Sequence, residues 1–484
     1  MKDVILVIDT GSSGMIGILF DCNGEVCFTH QIKYSMTVGT DDSAVMEISV
    51  FSRCIKEIAS RAAAEIQRKD YNLLAVSLDS QRSSVLAVDE QIRPLHPILM
   101  WYDKRCADIC SSFSDEELRT IYERCGMRLT QVSSAPKMLW MKRNLPDIYE
   151  AAYKLIGIHD YLLYTLTGKL VTDATCACRS ALMDIRTFEW SDELLTIFEV
   201  EKDKLCSIVR SGSIVGKITD AFSQETGLPV VPVVTAGGDQ QCCLLGQGYL
   251  EEGTVSINSG SATYLAIPVT TPTLDPKAEV NLSAYHGDTP WVLEGANMGS
   301  GTLYQWFNRN FYNDGTECKD TEHINREVAA QNAGCDGLIC YADFAGRGCP
   351  DTNPHARGVF ANVGLQHTRG SFARAILEGI CFDIQRCIEH IEGLGIPIHR
   401  IQSSGGLTNF PVYNQIMADI TNREIWVSAN AEATAAGAFL IACTALDIPH
   451  PVHTQSNDCR LYQPNADNVR IYQEVMKMRT EWSR

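Results

Sequence analysis

The sequence predicts an α/β protein that consists of two similarly built halves. The chain has 484 residues, too many for one compact core, so two domains of about 200 residues or more are expected. A strand, a loop rich in glycine and serine, and a second strand follow one another near the N-terminus, and the same order returns from Gly253 onward. We expect the domain boundary near residues 246–253 and assign residues 1–247 to the first domain and 248–484 to the second.

Two strands and a tight loop open the first half. Residues 4–8 form an unbroken apolar run, which is typical of a buried strand, and residues 16–20 repeat the pattern after the loop 11–14. Further along, the sequence predicts a hairpin turn at 21–24, helices over 139–152 and around 160–164, and a strand over 230–234.

The second half repeats this opening and then becomes largely helical. Residues 253–261 and 263–268 predict a strand, a Gly/Ser loop and a second strand. Apolar residues recur every three or four positions over 371–394, which predicts a long amphipathic helix. A strand is expected over 399–402. The alanine-rich stretch 433–446 predicts a buried helix that is too short to span a bilayer.

Composition and charge exclude several classes of function. The chain has 41 Lys and Arg against 59 Asp and Glu, a net charge of −18, which disfavours nucleic acids and anionic membranes as partners. The N-terminus lacks the features of a signal peptide. The 19 cysteines show no Cys-x-x-Cys spacing and are interpreted as reduced thiols, and the 11 histidines show no paired spacing for zinc. A cytoplasmic protein is expected, and a homodimer is compatible with the sequence.

Asp239 is the first candidate for chemistry. It follows an apolar run and two glycines, in the order Ala236-Gly237-Gly238-Asp239-Gln240-Gln241. A strand that ends in glycines exposes the next carboxylate at a sheet edge, where a ligand can come close. Such a carboxylate can take a proton from a substrate hydroxyl, although Gly-Gly-Asp alone is more often only a turn.

Three loops are candidates for binding phosphate without a basic surface. They are Asp9-Thr10-Gly11-Ser12-Ser13-Gly14, Asn258-Ser259-Gly260-Ser261 and Ser404-Gly405-Gly406-Leu407-Thr408-Asn409. Each follows a predicted strand, so its backbone N–H groups can converge on an anion, and Asp9 can hold Mg²⁺ through water. Neither a P-loop nor a glycine-rich dinucleotide fingerprint is found.

Further motifs carry a resemblance to a known family. They are Trp101-Tyr102-Asp103-Lys104-Arg105, Lys137-Met138-Leu139-Trp140-Met141 with Arg143-Asn144, Gly238-Asp239-Gln240-Gln241, residues 358–378, and Glu432-Ala433-Thr434-Ala435-Ala436-Gly437-Ala438. With them the chain resembles, over essentially its whole length, the FGGY carbohydrate kinases. This family includes glycerol kinase and xylulokinase and lies within the sugar-kinase/Hsp70/actin superfamily.

The resemblance implies two ribonuclease-H-like, actin-like ATPase domains with a deep cleft between them, ATP and Mg²⁺ in the cleft, and a sugar or polyol on its N-terminal side. Asp239 would take the proton of the hydroxyl that attacks the γ-phosphorus. Implied substrate contacts are Gln81, Arg82, Ser83, Trp101, Asp239 and Gln240. Implied ATP contacts are Gly11, Ser12, Ser13, Gly260, Ser261, Gly301, Gln305, Gly405, Gly406 and Asn409, and implied metal ligands are Asp9 and Asp239.

Departures from the family pattern affect both the choice of substrate and the phosphate site. Glycerol kinases have Gln-Arg-Glu where this chain has Gln81, Arg82 and Ser83, and a tyrosine where it has Val132, which argues against glycerol itself. The Gln-Met-His-Gly of xylulokinases is absent too. Ile16 stands where the family usually has a basic residue near the phosphates, so activity is reduced or another cation replaces it.

The leading hypothesis is an ATP-dependent kinase of a small polyol, ketose or sugar acid. A xylulokinase-type ketose kinase is the second, and a catalytically weakened sugar-binding regulator, supported by Ile16 alone, is the third. A chaperone or filament protein of the same superfamily is disfavoured, because the Trp-x-Asp-x-Arg and Lys-x-x-Trp segments match the sugar kinases. Asp103 and Arg105 are expected to form a structural ion pair.

Overall fold

Two mixed β-sheets with flanking helices form the framework of the protein. The structure, a computed structural model, describes residues 1–248, 253–312, 322–427, 432–449 and 459–482. The elements of the first half are β1 (Lys2–Thr10), β2 (Gly14–Asp21), β3 (Val26–Lys33), β4 (Thr37–Val38), β5 (Ala44–Met46), α1 (Ile48–Lys69), β6 (Tyr71–Ser80), β7 (Leu86–Val88), β8 (Ile98–Leu99), α2 (Ala107–Ser112), α3 (Asp115–Cys125), α4 (Ser134–Asn144), α5 (Pro146–Ala151), β9 (Lys154–Ile156), α6 (Ile158–Thr167), β10 (Val171–Asp173), α7 (Ala174–Ala177), β11 (Met183–Asp184), β12 (Glu189–Trp190), α8 (Asp192–Ile197), β13 (Ser207–Val209), β14 (Ile214–Lys217), α9 (Asp220–Thr226), β15 (Pro232–Gly238) and α10 (Asp239–Gly246).

The second half continues with strands and longer helices. Its elements are β16 (Thr254–Ser259), β17 (Thr263–Val269), β18 (Asn281–Ala284), β19 (Trp291–Asn297), α11 (Ser300–Phe311), α12 (Glu322–Ala329), β20 (Ile339–Tyr341), β21 (Val359–Ala361), α13 (Arg369–Gly393), β22 (Arg400–Ser404), α14 (Pro411–Thr421), β23 (Ile425–Val427), α15 (Ala433–Ala445), β24 (Arg460–Tyr462) and α16 (Ala466–Trp482). Short 3₁₀ helices lie at Cys178–Ser180, Lys202–Lys204, Ala333–Gly337 and Gly406–Asn409.

The two large sheets share one topology. In the first, β3, β2 and β1 are antiparallel neighbours, and β6 and β15 then continue the sheet parallel to β1. In the second, β19, β17 and β16 are antiparallel neighbours, and β22 and β23 continue it parallel to β16. The repetition confirms the predicted α/β architecture of two similar halves.

Most predicted elements are present, and one helix is divided. The long amphipathic helix is α13, and the alanine-rich helix is α15, which is buried along most of its length. The helix predicted over 139–152 is instead two helices, α4 and α5, which meet at Leu145. Pro146 explains the break, because proline lacks an N–H group and favours the first position of a helix.

The two halves of the sequence are interleaved in space. Residues of β1 alternate between the two faces of the first sheet, and Leu6 and Ile8 pack in a cluster with α1 and α6. Ile5 and Val7, on the opposite face, pack against α15 from the second half of the chain. Of the predicted boundary region, residues 246–253, positions 249–252 lie outside the described residues.

The described cysteines are all free, and Cys318 lies outside the described part of the chain.

Among the described residues, no helix is long and apolar enough to cross a membrane.

Candidate active site

Three aspartates lie at one edge of the first sheet. Asp9 and Asp79 are paired across the parallel strands β1 and β6, and Asp79 is also paired with Gly237 of β15. Asp239 follows β15 directly, as the first residue of α10. Because the carboxyl ends of parallel strands meet at the same edge, β1, β6 and β15 bring all three carboxylates together.

The backbone before Asp239 is held by buried hydrogen bonds. Gly237 has a φ of 82°, and a β-carbon at this position would lie 2.1 Å from Thr175 Oγ1. The next N–H group, that of Gly238, donates to Thr175 Oγ1 at 2.8 Å, and that hydroxyl donates to Asp173 Oδ1 at 2.7 Å. The glycines are therefore required by conformation and by space.

The electrostatics of the three aspartates differ. Asp239 is 25% exposed, and burial raises its pKa, although the nearby guanidinium of Arg82 opposes the rise. Burial and the charge of Asp239 raise the pKa of Asp9 to about 6. Asp79 is fully buried, neither of its carboxylate oxygens accepts a hydrogen bond from the described residues, and burial raises its pKa well above the usual range. Burial therefore disfavours the ionised form of the carboxyl groups at this edge, most strongly that of Asp79.

A cavity of about 370 Å³ opens beside Asp239, between the two large sheets. All predicted substrate contacts line it, namely Gln81, Arg82, Ser83, Trp101, Asp239 and Gln240. Val132 lines it as well, as do four residues that the sequence did not suggest: Arg179, Tyr264, Asn281 and Glu294.

Hydrogen bonds join the first predicted phosphate loop to this cavity. Trp101 Nε1 donates to Ser12 Oγ at 2.8 Å, and Ser12 Oγ lies 3.4 Å from Gln81 Oε1. Gln81 Nε2 donates to the carbonyl oxygen of Gly11 at 3.1 Å. Ser13 is exposed on the same loop. The loop and the predicted substrate contacts are thus neighbours.

Arg82 reaches into the cavity and is only 10% exposed. Its Nη1 donates to Gln241 Oε1 at 2.9 Å, and its Nε lies 3.7 Å from Asp239 Oδ1. Ser83, which follows it, has a φ of 69° and is nearly buried. The backbone turns at Ser83 so that Arg82 points toward Asp239.

A buried lysine stabilises the loop that forms the cavity wall at Val132. Lys137 Nζ donates to the carbonyl oxygens of Gln131, Val132 and Ser133 at 2.8, 2.6 and 3.2 Å. Burial lowers the pKa of Lys137 to about 8. The three hydrogen bonds satisfy all donors of the ammonium group and hold the loop.

The ion pair expected between Asp103 and Arg105 is present. Arg105 Nη2 lies 2.7 Å from Asp103 Oδ2, which also accepts from the backbone N–H of Ala44 at 2.9 Å. The Arg105 guanidinium lies 4.2 Å from the ring centre of Trp140. The pair therefore joins three segments beside the cavity, and its role is structural, as predicted.

The predicted ATP contacts of the second half gather at the carboxyl ends of β16 and β22. The Gly301 N–H donates to the Gly260 carbonyl oxygen at 3.0 Å, and a β-carbon on Gly405, where φ is 95°, would lie 2.6 Å from Ser259. Gly406, Gln305 and Asn409 are exposed. Within the described residues, none of the predicted contacts of the second half lines the cavity beside Asp239. Ser261 adjoins Gly260 and accepts a backbone hydrogen bond from the start of α11.

Ile16 has an apolar environment. It packs against the cluster that the first sheet shares with α15. In the described part of the chain, the basic side chains that line the cavity are Arg82 and Arg179. Position 16 therefore supplies no cation, whereas Arg82 and Arg179 supply two to the cavity.

The residues that sequence reasoning missed carried weak signals. Asp79 ends an apolar strand, Arg179 stands among small residues, and Glu294 interrupts the run Trp291-Val292-Leu293. A charge inside an apolar run is a signal of function, because burial of an unpaired charge is costly.

The chain is similar to known proteins along most of its length. A family model described as the N-terminal domain of the FGGY family of carbohydrate kinases matches residues 4–246, and one described as its C-terminal domain matches residues 255–446. A gluconokinase of Bacillus subtilis is 25% identical over 496 residues, covering 100% of this chain and 96% of that protein. A glycerol kinase of Thermococcus onnurineus is 29% identical over 460 residues, covering 92% and 90%. A xylulose kinase of Staphylococcus epidermidis is 25% identical over 484 residues, covering 98% and 95%.

Solved structures show the same fold. Ligand-bound xylulose kinase from Lactobacillus acidophilus superposes with a TM-score of 0.91 at 22% identity, covering 99% of this chain and 97% of that one. Plasmodium falciparum glycerol kinase with ADP gives a TM-score of 0.90 at 21% identity, covering 99% and 98%.

Proposed function

Because the chain belongs to the FGGY family of carbohydrate kinases, we propose that Asp239 is the base of the phosphoryl transfer that this enzyme catalyses. The enzyme transfers a phosphoryl group from ATP to a hydroxyl of a small sugar or polyol. One observation carries the proposal: Asp239 stands at the sheet edge and in the wall of the cavity of about 370 Å³. There its carboxylate can accept the hydroxyl proton as the oxygen attacks the γ-phosphorus.

In this proposal residues 1–247 supply much of the acceptor site, and residues 248–484 supply much of the nucleotide site. The loop Gly11–Ser13 and the group Gly260, Ser261, Gly301, Gln305, Gly405, Gly406 and Asn409 would contact ATP from the two sides of the cleft. Glycines at these positions let backbone N–H groups approach phosphate oxygens. The close packing of Gly301 on Gly260 and of Gly405 on Ser259 supports a compact phosphate-facing surface.

The aspartate edge fits Mg²⁺ bound mainly through water and phosphate oxygens. No group of three His, Cys, Asp or Glu side chains within the described ranges forms a direct metal cage. Mg²⁺ characteristically keeps several waters and uses one or two carboxylates. Asp9 and Asp239 would hold it. When bound, the ion would neutralise part of the phosphate charge.

For the acceptor we propose a small polyol, ketose or sugar acid, phosphorylated at a terminal hydroxyl. The relatives named gluconokinase, glycerol kinase and xylulose kinase span these three classes. Arg82 and Gln240 would contact the acceptor hydroxyls, and Trp101 would form the wall beside the carbon chain.

The test is the variant Asp239→Asn, which keeps the shape of the side chain and removes the base. We expect kcat to fall at least ~10²-fold while the binding of ATP and acceptor changes little. Turnover is measured by ADP release, and binding by titration calorimetry. Asp192→Asn, at a carboxylate that is 86% exposed, is the control. Undiminished turnover in Asp239→Asn would remove Asp239 from the mechanism.

A further inference from the structure

We propose that the acceptor is a neutral polyol or ketose rather than a sugar acid, and that two of its hydroxyl groups bridge two arginine–carboxylate pairs, Arg82–Asp239 and Arg179–Glu294. This inference rests on the proposed function, because it concerns the same cavity. It narrows the acceptor to one chemical class and gives a role to two residues that the sequence did not suggest.

Both pairs are longer than a strong direct hydrogen bond. Arg82 Nε lies 3.7 Å from Asp239 Oδ1, and Arg179 Nη1 donates a long hydrogen bond of 3.5 Å to Glu294 Oε2. A direct charge-assisted hydrogen bond spans about 2.7–2.9 Å. A hydroxyl group both accepts and donates, so it can accept from the guanidinium and donate to the carboxylate of the same pair. The carboxylate group of a sugar acid cannot donate, so it could not take either of these two positions.

The side chains of both arginine–carboxylate pairs are largely buried. The side chains of Arg179 and Glu294 are 19% and 20% exposed, and those of Arg82 and Asp239 are 10% and 25% exposed. Charges in such a site are incompletely screened by water, so their sum decides which ligand charge is tolerated.

The charges of the cavity are balanced without a ligand. Among the described residues that line it, the charged side chains are Arg82, Arg179, Asp239 and Glu294. In their ionised forms these add to zero. A substrate carboxylate would bring an uncompensated negative charge beside two carboxylates and near the phosphates of ATP. A neutral acceptor leaves the balance unchanged.

Arg82, Asp239, Arg179 and Glu294 line one cavity of about 370 Å³, so one small molecule can reach both pairs. Burial lowers the pKa of Arg82, but the charges of Glu294 and Asp239 more than offset this and raise it. Burial and the charge of Arg82 together lower the pKa of Arg179. Each guanidinium therefore senses the other pair, as expected if neighbouring hydroxyls of one carbon chain reach both.

Neighbouring side chains hold Glu294 and Arg82 in place, and one buried hydrogen-bond donor beside Arg82 has no partner among the described residues. Ser283 Oγ, on β18, donates to Glu294 Oε2, on the neighbouring strand β19. Gln241 is 1% exposed, and its Nε2 has no partner among the described residues, whereas its Oε1 accepts from Arg82. An unpartnered buried donor beside the pair Arg82–Asp239 indicates room for a further acceptor atom.

The second carboxylate of the acceptor site comes from a distant part of the chain. Arg82 is followed by the uncharged Ser83. Here the second carboxylate comes from β19, together with Arg179 from the turn after α7. The acceptor site is thus completed by the second half of the chain.

The experiment compares neutral and acidic acceptors of equal chain length in the full-length enzyme with Mg·ATP. The pairs are erythritol and erythronate, xylitol and xylonate, and glucitol and gluconate, with xylulose and ribulose as ketoses. We expect kcat/KM for the best neutral acceptor to exceed that for the best acid by at least ~100-fold. A sugar acid as the best substrate would overturn the inference.

A variant tests the role of Glu294 directly. Glu294→Gln keeps the shape and removes the charge. We expect kcat/KM for the best neutral acceptor to fall ~10-fold or more, and that for the acid of equal length to rise. Glu193→Gln, at a surface glutamate that pairs with Arg124, is the matched control and should leave both values unchanged. An equal loss for both acceptors in Glu294→Gln would contradict the bridging role.

Failure of the inference and failure of the proposed function give different results. A wild-type enzyme that phosphorylates nothing in the panel contradicts the proposed function. In that case the inference is tested by calorimetric titration of the same acceptor pairs. Tighter binding of the acids would overturn it, and tighter binding of the neutral acceptors would support it. The wild-type panel does not depend on whether Glu294→Gln folds.

Discussion

At the scale of single residues, the position of Asp239 depends on side chains buried beneath it. Thr235 Oγ1 donates to Asp173 Oδ2 at 2.8 Å and lies 2.8 Å from His159 Nε2. Thr175 binds the other oxygen of Asp173 and receives the N–H of the residue before Asp239. A continuous buried chain of hydrogen bonds therefore fixes the backbone on which the proposed base is carried.

Replacement of Thr175 by valine tests this chain. The change keeps the size of the side chain but leaves a buried N–H without an acceptor, which costs about 1–3 kcal/mol. We expect kcat to fall about tenfold with an unchanged KM for ATP, since the carboxylate loses its alignment. Thr175→Ser keeps the hydroxyl and should be close to wild type. If Thr175→Ser is as impaired as Thr175→Val in steady-state kinetics, the methyl group rather than the hydrogen bonds is what matters.

His159 makes stability depend on pH. Burial lowers its pKa from 6.5 to about 3, so the folded state stays unprotonated while the unfolded state gains a proton as the pH falls below 6.5. The unfolded state then binds more protons, and the free energy of unfolding falls between about pH 6.5 and 3 by at most ~1.4 kcal/mol per pH unit for this group. At higher pH the contribution is fully retained.

The variant His159→Gln can still bond to Thr235 but does not titrate. We expect a shallower loss of Tm between pH 7 and pH 5 than in the wild type, measured by thermal unfolding. His30→Gln, at a surface histidine, is the control and should reproduce the wild-type slope. Parallel curves for His159→Gln and wild type would show that this histidine does not cause the acid lability.

At the scale of elements, the spacing of apolar residues predicts those helices and strands that form through interactions within one segment. The apolar strand β1 and the amphipathic helix α13 follow directly from spacing, because their burial pattern repeats along one segment. The helix expected over 139–152 is broken at Pro146, whose backbone effect overrides a continuous apolar pattern. The candidate site was predicted around Asp239 because glycines and carboxylates there are local features.

Contacts between distant segments could not be predicted in the same way. Arg179 and Glu294 are separated by 115 positions, and their pairing depends on how the two halves assemble. Asp79 gains its environment only when β6 pairs with β1 and β15. Periodicity within a segment contains no information on which segments become neighbours, so the contacts of these residues are known only from the tertiary structure.

At the scale of the whole molecule, two helices from different halves cross at glycines. A β-carbon on Gly437 of α15 would lie 1.9 Å from the Cys242 carbonyl oxygen of α10, and one on Gly246 would lie 1.8 Å from the Ala433 carbonyl oxygen. Such distances permit no side chain, so the helix backbones touch. Asp239 begins α10, so this crossing links the position of the proposed base to the packing of the second half.

Gly437→Ala tests that link. The added methyl must push α15 away from α10, and we expect a destabilisation of about 1–3 kcal/mol, as for overpacking in a core. Since the shift also displaces the first turn of α10, kcat should fall together with stability. Gly393→Ala, at a helical glycine whose β-carbon would meet no atom within 4 Å, is the matched control. Thermal unfolding and ADP release measure the two effects. Full activity and an unchanged Tm in Gly437→Ala would show that the helices separate freely at this crossing and that the proposed base does not depend on it.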